Sequence, residues 1–336
     1  MNGPELRQDP TTKDWVVIAA GRAKRPHAFA ESKPASSALT YDPSCPFCVG
    51  NEALTPPEVY RDNDTSGAWR VRVVPNKFAA LTPDAKTERT EGFFRRAPGV
   101  GYHEVVIETP DHAGDLADLS VEHVARVLRA YRERQRALSL DPRVRFVIIF
   151  RNHGERAGTS LAHPHSQIVA TPIVPAYMRR RHEIAERHFD DTGRCLYRDV
   201  QEAERADGSR LVEDTDGFMV FVPFASHVPF ETWIVPHTLR PSFVLVTDEE
   251  LDNLARVLRN SLRRLRACLG DVDYNYIVHS SPRKDEDEDY YLWHVQIVPR
   301  LTRPAGFEIG SHMSINTVEP EAAAEQLRAV RGEELS

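Results

Sequence analysis

The sequence predicts an α+β fold made of two similar halves, in which antiparallel strands form sheets with helices packed against them. The segment Pro164–Val169, Pro-His-Ser-Gln-Ile-Val, has a near copy at Trp293–Val298, an offset of 129 residues. Upstream, the pentapeptide Ala-Arg-Val-Leu-Arg at 125–129 recurs unchanged at 255–259, an offset of 130 residues. Because the two offsets agree to within one residue, we interpret them as an internal duplication.

Both copies contain the same order of predicted elements, namely a strand, an amphipathic helix, a strand, a short loop and a strand with His-x-Gln. The helices have clear starts, since Ser120 is a predicted N-cap and Thr247 forms a capping box with Glu250. We expect halves at 1–180 and 181–336, with the polar segment Gln201–Gly208 as a loop between them. The apolar strands that flank the two helices are His103–Thr109, Val144–Phe150, Phe230–Pro236 and Tyr274–Val278.

Composition restricts the class of protein. The chain has 336 residues, of which 41% are hydrophobic, which is enough to form a sizeable core. Its formal net charge of −7 argues against a dedicated nucleic-acid binder, and no apolar run approaches the roughly 18 residues of a membrane span. The N-terminus lacks a signal-peptide pattern, so we expect a cytoplasmic protein with reduced cysteines. A homodimer is compatible with these features.

The segment His163-Pro164-His165-Ser166-Gln167 is the strongest candidate for a site. Alternate side chains of a strand share a face, so the two histidines and Gln167 are expected to point the same way. Imidazole can act as a nucleophile, a general base or a metal ligand near neutral pH. The alternative is a pair of surface histidines on an edge strand beside Pro164.

A Cys-x-x-Cys pair at Cys45 and Cys48 could occupy two corners of a tetrahedral zinc site. Only one such pair exists, so the other ligands are expected to be nitrogens, with His112 and His163 as the best candidates. A thioredoxin-like redox motif is the competing interpretation, although no suitable βαβ pattern follows Cys48. Three other histidines before the site, His103, His123 and His153, are assigned structural or surface roles.

The motifs extend over nearly the whole chain: Leu6–Pro10, Asp14–Val16, Arg22–Pro26, Cys45–Cys48, Gly50–Glu52, Val74–Phe78, Pro110–His112, Asn152–Gly154 and His163–Gln167. Together they resemble the galactose-1-phosphate uridylyltransferase family of the histidine-triad superfamily. The two halves would then both be histidine-triad-like. In histidine-triad hydrolases a third histidine stands where this chain has Gln167, and the resemblance therefore implies transfer rather than hydrolysis.

The resemblance implies that His165 attacks the α-phosphorus of a nucleoside diphosphate sugar and forms a nucleotidyl-histidine, which a sugar 1-phosphate then accepts. Uridylyl transfer in galactose metabolism is the first expectation. Gln167 and Ser160 would assist catalysis, and Cys45, Cys48, His112 and His163 would hold one structural Zn²⁺. The substrate-binding residues implied are Arg22 and Arg25 near the phosphates, Asn76 and Phe78 near the base and ribose, and Asn152, Gly158 and Gln296.

The chain departs from the family pattern in two places. Several members carry a second metal site, but here Gln296 replaces one histidine ligand and Arg181 stands at the glutamate position, so we expect no second metal beside His279 and His294. The tail Ala305–Ser311 resembles a branch that includes ADP-glucose phosphorylase. Adenylyl transfer from an ADP-sugar to phosphate is therefore the alternative activity, followed by a dinucleotide hydrolase and a noncatalytic zinc-bearing nucleotide sensor.

Overall fold

The computed structural model describes residues 3–21, 39–86 and 88–331. The helices are α1 (Val121–Leu138), α2 (Ala176–Thr192), α3 (Leu196–Asp207), α4 (Asp248–Leu269), α5 (Gly306–Ser311) and α6 (Pro320–Ala329). The strands are β1 (Glu5–Gln8), β2 (Trp15–Ile18), β3 (Tyr60–Asn63), β4 (Trp69–Pro75), β5 (Tyr102–Ile107), β6 (Phe146–His153), β7 (His165–Thr171), β8 (Leu211–Asp214), β9 (Phe218–Phe221), β10 (Thr232–Pro236), β11 (Tyr274–His279), β12 (His294–Pro299) and β13 (Ile315–Asn316). Within this part of the chain, no helix combines the length and apolar character needed to cross a membrane.

Ten of the strands form one continuous sheet in the order β3-β4-β5-β7-β6-β11-β12-β10-β9-β8, and all neighbouring strands are antiparallel. The two halves of the chain meet at the β6 and β11 pair, and the order of strands outward from this pair is the same on both sides. The predicted α+β class is confirmed, as is the duplication, since β5-α1-β6-β7 corresponds to β10-α4-β11-β12. A separate sheet joins β1, β2 and β13.

Helices α1 and α4 begin at the predicted caps. The Ser120 side chain accepts from the His123 backbone N–H, and Thr247 and Glu250 form the predicted capping box. Both helices have an apolar stripe at helical spacing, and this stripe packs into one core with α6 and one face of the ten-stranded sheet. The two equivalent helices also contact each other, so the duplicated halves share a single large core on this face.

The opposite face of the sheet differs between the halves. On the C-terminal half, α2 and α3 contribute to a second core with Met219, Phe221 and Trp233. On the N-terminal half this face carries the Cys45 to Cys48 loop, which packs against β4 and β5. The predicted division after residue 180 falls inside α2.

The prediction of a loop at Gln201–Gly208 is wrong, because these residues form most of α3 and its C-terminal cap at Gly208. The buried face of α3 includes polar residues that form hydrogen bonds inside the protein. In the sequence, such a run of polar residues resembles a solvated loop. Gln201 Nε2 donates to the Pro236 carbonyl at 3.1 Å, and Glu204 Oε2 accepts from Arg210 Nε at 2.7 Å. These bonds offset the cost of burying polar groups on the helix.

Candidate active site

The His-Pro-His-x-Gln segment leads into β7, which lies between β5 and β6 near the middle of the N-terminal half of the sheet. The alternative of an edge strand is therefore wrong. His165 and Gln167 line the same cavity, whereas Ser166 between them faces the buried core and contacts Tyr131 of α1. His163 precedes the strand, and its ring is directed to the two cysteines.

The backbone determines the tautomer of His165. Its Nδ1 lies 2.8 Å from the backbone carbonyl of His163, and a carbonyl oxygen can only accept a hydrogen bond. Nδ1 therefore carries the proton, and Nε2 has a free lone pair with no bonding partner among the described residues. Burial lowers the pKa of His165, which favours this neutral form.

Two cavities meet at His165. One has a volume of about 730 Å³ and is lined by Asn152 and the loop that leads to β7. The other has a volume of about 650 Å³ and is lined by Asn76, Phe78 and Gln167. Ser160 and His165 line both cavities, so a ligand that extends from one cavity into the other would pass the free imidazole nitrogen.

A buried polar network supports β7 from the opposite face. The Ser166 hydroxyl donates to the Glu108 carboxylate and contacts the Tyr131 hydroxyl. Glu108 is fully buried, and its Oε2 accepts from Arg151 Nε at 2.9 Å. Tyr276 of the C-terminal half completes the network through its hydroxyl, 2.5 Å from that of Tyr131. The charged and polar groups beneath β7 are therefore all paired, and these bonds restrict movement of the strand.

The loop that precedes β7 is held by residues of the C-terminal half. Asn275 Nδ2 donates both to Asn152 Oδ1 at 2.7 Å and to the carbonyl of Ala157 at 2.9 Å. Gly154 and Gly158, at φ of +83° and +92°, adopt backbone conformations that favour glycine. Asn152, at the end of β6, and Ser160, on the loop, are thereby presented to the larger cavity in fixed positions.

Four residues form the predicted metal cluster. The ligand atoms of Cys45, Cys48, His112 and His163 all lie within 4.8 Å of one another. The Cys48 Sγ to His112 Nδ1 distance is 3.4 Å, and both sulfurs lie 3.7 Å from His163 Nδ1. Tetrahedral zinc with S and N ligands at about 2.1 to 2.3 Å separates its ligand atoms by roughly 3.4 to 3.8 Å, so these three distances fit such an ion.

The surroundings of His163 favour metal binding through Nδ1. Its Nε2 lies 2.8 Å from the Thr109 carbonyl, so Nε2 carries the proton and the Nδ1 lone pair faces the sulfurs. Burial lowers the pKa of His163 to about 4, which keeps the ring neutral. Phe47, between the two cysteines, packs against the rings of both His163 and His165. Phe47 therefore connects the cluster to the candidate nucleophile.

The assignment of His103 to a surface or structural role overlooked its contact with the site. His103 Nε2 lies 2.7 Å from Gln167 Oε1 and 3.1 Å from Asn76 Nδ2. The sequence contains no motif that marks this residue. Only the register of β5 against β7 places its ring beside Gln167.

The remaining predicted residues lie in different places. Phe78 is on the rim of the smaller cavity, where its ring is 86% exposed and available to stack on a ligand. Arg22 and Arg25 lie outside the described residues. Gln296 lies on β12 and is absent from the described lining of the two cavities; its amide bonds to His279 and Glu231 at 2.7 Å.

The counterpart of the site in the C-terminal half is closed. His294 Nδ1 lies 3.0 Å from the Leu292 carbonyl, as His165 Nδ1 lies near that of His163. However, Arg181 of α2 donates to His294 Nε2 at 3.1 Å and to His279 Nδ1 at 3.2 Å. A buried guanidinium thus occupies the imidazole lone pairs that a nucleophile or a metal ligand would need.

Residues 1–175 match the family model of galactose-1-phosphate uridyl transferase, N-terminal domain. The model of the C-terminal domain of the same enzyme matches residues 176–335. The boundary between the two models lies immediately before α2.

Individual relatives cover almost the whole chain. ADP-glucose phosphorylase of Arabidopsis thaliana is 35% identical over 332 residues, which are 97% of this chain and 93% of that protein. Galactose-1-phosphate uridylyltransferase of Thermotoga maritima is 29% identical over 335 residues, 96% of this chain and 98% of that protein. A crystal structure of the Arabidopsis phosphorylase with bound ADP-glucose covers 98% of this chain and 99% of its own, with a TM-score of 0.86 and 34% identity. The chain therefore belongs to the galactose-1-phosphate uridyl transferase family and is a nucleotidyltransferase.

Proposed function

We propose that the chain transfers a nucleoside monophosphate from a nucleoside diphosphate sugar to a sugar 1-phosphate through a covalent intermediate on His165. The observation that carries the proposal is the bond from His165 Nδ1–H to the His163 carbonyl, which leaves Nε2 unprotonated between two cavities. A nucleotide sugar has two parts joined by a diphosphate, and two cavities that meet at a nucleophile suit such a substrate.

In the first step, the Nε2 lone pair attacks the α-phosphorus and forms a P–N bond. The bond from this phosphorus to the bridging oxygen breaks, and the sugar 1-phosphate leaves with the electron pair. The Nδ1 proton stays on the ring, where the His163 carbonyl stabilises the positive charge that develops. In the second step, a phosphate oxygen of the acceptor attacks the same phosphorus and the P–N bond breaks.

In this proposal, the remaining site residues bind different parts of the substrate. The Gln167 amide and the Ser160 hydroxyl donate to nonbridging oxygens, whose charge changes in the transition state. Asn152 lines the larger cavity and Gly158 is on the loop that leads to β7, whereas Asn76 and Phe78 receive the base and ribose. Arg22 and Arg25 are assigned to the phosphates on the family resemblance alone.

Two activities, which differ in nucleobase and acceptor, are candidates. Uridylyl transfer to a sugar 1-phosphate follows from the family as a whole. Adenylyl transfer from an ADP-sugar to phosphate is favoured by one observation, namely that identity with the Arabidopsis ADP-glucose phosphorylase is 35%, compared with 29% for the Thermotoga uridylyltransferase. The chemistry at His165 is the same in both.

We assign one structural Zn²⁺ to Cys45, Cys48, His112 and His163. Four protein ligands fill a tetrahedron, so such an ion would bind no water or substrate and would serve to fix the segment that carries His165. A cytoplasmic location, a homodimer and a division of the chain into two histidine-triad-like halves are further parts of the proposal.

Mixing the protein with the correct nucleotide sugar should add one nucleoside monophosphate per chain, as measured by intact-mass spectrometry with UDP-glucose and ADP-glucose in separate samples. Without acceptor, the reaction should stop at about one equivalent, because the Gln167 amide cannot relay a proton to activate water. Adding glucose 1-phosphate, galactose 1-phosphate or phosphate should restore turnover and identify the acceptor.

The variant His165→Gly should form no adduct while remaining folded, whereas His237→Gly, a histidine outside the two cavities, should react as the parent does. Normal exchange of labelled sugar 1-phosphate by His165→Gly would contradict covalent catalysis. Rapid release of UMP or AMP without acceptor would instead indicate a hydrolase.

The pH dependence of adduct formation should reflect the buried state of His165. Because burial lowers its pKa below the ordinary value of 6.5, the ring is still mostly neutral at pH 6.5 and becomes mostly protonated only at more acidic pH. The single-turnover rate should therefore fall to half of its value at pH 8 only below pH 6.5. A rate that halves near neutral pH, with zinc content unchanged, would contradict a depressed pKa.

Metal analysis should find one zinc per chain in protein purified without chelators. Cys45→Ser should lower both zinc content and thermal stability, because binding of a structural metal is coupled to folding. Cys195→Ser is the matched control, since this buried cysteine lies in the C-terminal half, where its Sγ donates to the Tyr290 carbonyl at 3.4 Å. Equal zinc content in the two variants would refute the assigned ligands.

A further inference from the structure

We propose that His103 is a positioning residue that orients the Gln167 amide, so that the amide N–H groups rather than the carbonyl oxygen face the substrate phosphates. The inference rests on the proposed function in assigning those phosphates to Gln167. An amide presents a donor at one end and an acceptor at the other, and the wrong orientation would place an oxygen lone pair against an anionic ligand.

The strand register brings the two side chains together. Val105 of β5 is directly opposite Gln167 of β7, and His103 is two residues earlier on β5. Residues two apart on a strand share a face, so His103 is the diagonal neighbour of Gln167 on the cavity side of the sheet. The resulting distance between His103 Nε2 and Gln167 Oε1 is 2.7 Å.

A backbone group fixes the tautomer of His103. The Ala80 backbone nitrogen lies 3.2 Å from His103 Nδ1, and a backbone N–H can only donate. Nδ1 must therefore accept, which places the single proton of the neutral ring on Nε2. The tautomer is the opposite of that of His165, whose Nδ1 faces a carbonyl.

The protonated Nε2 then determines the orientation of Gln167. A donor at this position requires the Gln167 oxygen, and the amide nitrogen is directed away from the ring. No group of the described residues accepts from Gln167 Nε2, which is therefore available to a ligand in the smaller cavity. Asn76 Oδ1 accepts from the Phe78 backbone N–H at 2.8 Å, so Asn76 Nδ2 is the amide atom that lies 3.1 Å from His103 Nε2. Two N–H groups cannot bond to each other, so with Nε2 protonated the Gln167 oxygen is the hydrogen-bond partner of the ring, and the Asn76 amide hydrogens make no bond to it.

The equivalent glutamine of the other half shows the contrast. Gln296 Oε1 also lies 2.7 Å from an imidazole nitrogen, that of His279, but its Nε2 donates to Glu231 Oε1 at 2.7 Å. Its amide is satisfied at both ends within the protein. Gln167 has only its oxygen bonded, which is the arrangement expected of a side chain that donates to a substrate.

The tautomer can be measured on the free protein, independently of any reaction. Long-range ¹H–¹⁵N correlation spectra of protein labelled with ¹⁵N-histidine distinguish Nδ1–H from Nε2–H rings. We expect His103, assigned from the signals missing in His103→Gln, to be Nε2–H, and His165 to be Nδ1–H. An Nδ1–H or doubly protonated His103 at neutral pH would overturn the proposal even if nucleotidyl transfer is established.

Two substitutions separate the bond to Gln167 from the bond to Ala80. His103→Gln places an amide donor near the former Nε2, whereas His103→Asn places an amide oxygen near the former Nδ1 and has no donor that reaches Gln167. We expect His103→Asn to lower the rate of adduct formation by about 10- to 100-fold, as expected for the loss of an oriented donor to the phosphate. His103→Gln should retain most of the rate. The reverse order would show that His103 serves only to hold Ala80.

A double-mutant cycle tests whether His103 acts through Gln167. If it does, His103→Asn should have little further effect in a Gln167→Ala background, and the double variant should react at about the rate of Gln167→Ala alone. Multiplicative losses would overturn the proposal. Absence of adduct in the parent protein with both UDP-glucose and ADP-glucose would refute the proposed function, while the tautomer measurement would still decide the orientation of His103.

Discussion

The hydrogen bond between His165 Nδ1 and the backbone carbonyl of His163 is the interaction on which the rest of the site depends. It places the proton on one ring nitrogen and leaves the other available at the junction of two cavities. The carbonyl keeps its position because the His163 ring is held on both sides, by the cysteine sulfurs at Nδ1 and by the Thr109 carbonyl at Nε2. The buried Glu108 network supports the next residue of the strand from the other face. The Cys/His cluster, the strand and the candidate nucleophile His165 are therefore held in place together.

The duplication explains both why the fold is large and why it has one open site. The sheet is continuous across β6 and β11, and residues such as Asn275 of the second half hold the loop that leads to the nucleophile. The second half preserves the tautomer of its own histidine, His294, but α2 covers that face and Arg181 bonds to the lone pair. One half thus carries the candidate active site, and the other supports it.

Much of this arrangement could be predicted from sequence, because its signals are local. The repeated His-x-Gln strands, the helix N-caps and the Cys-x-x-Cys pair each lie within a few residues, and the predicted histidine ligands do meet those cysteines. Prediction failed where tertiary contacts decide the outcome. Gln201 and Glu204 resemble a solvated loop but bond inside a helix, and His103 contacts Gln167 only through the pairing of two strands distant in sequence. No pattern in a single sequence shows which strands pair or in what register.

The most direct test of the account is to locate the covalent adduct. Protein that has reacted with its nucleotide sugar should be digested at neutral or alkaline pH, where phosphoramidates persist, and the modified peptide sequenced by mass spectrometry. We expect a single nucleoside monophosphate on His165, attached through Nε2 as determined by NMR of the labelled ring. An adduct on any other residue, or attachment through Nδ1, would contradict the conclusion that the His163 carbonyl selects the reactive nitrogen.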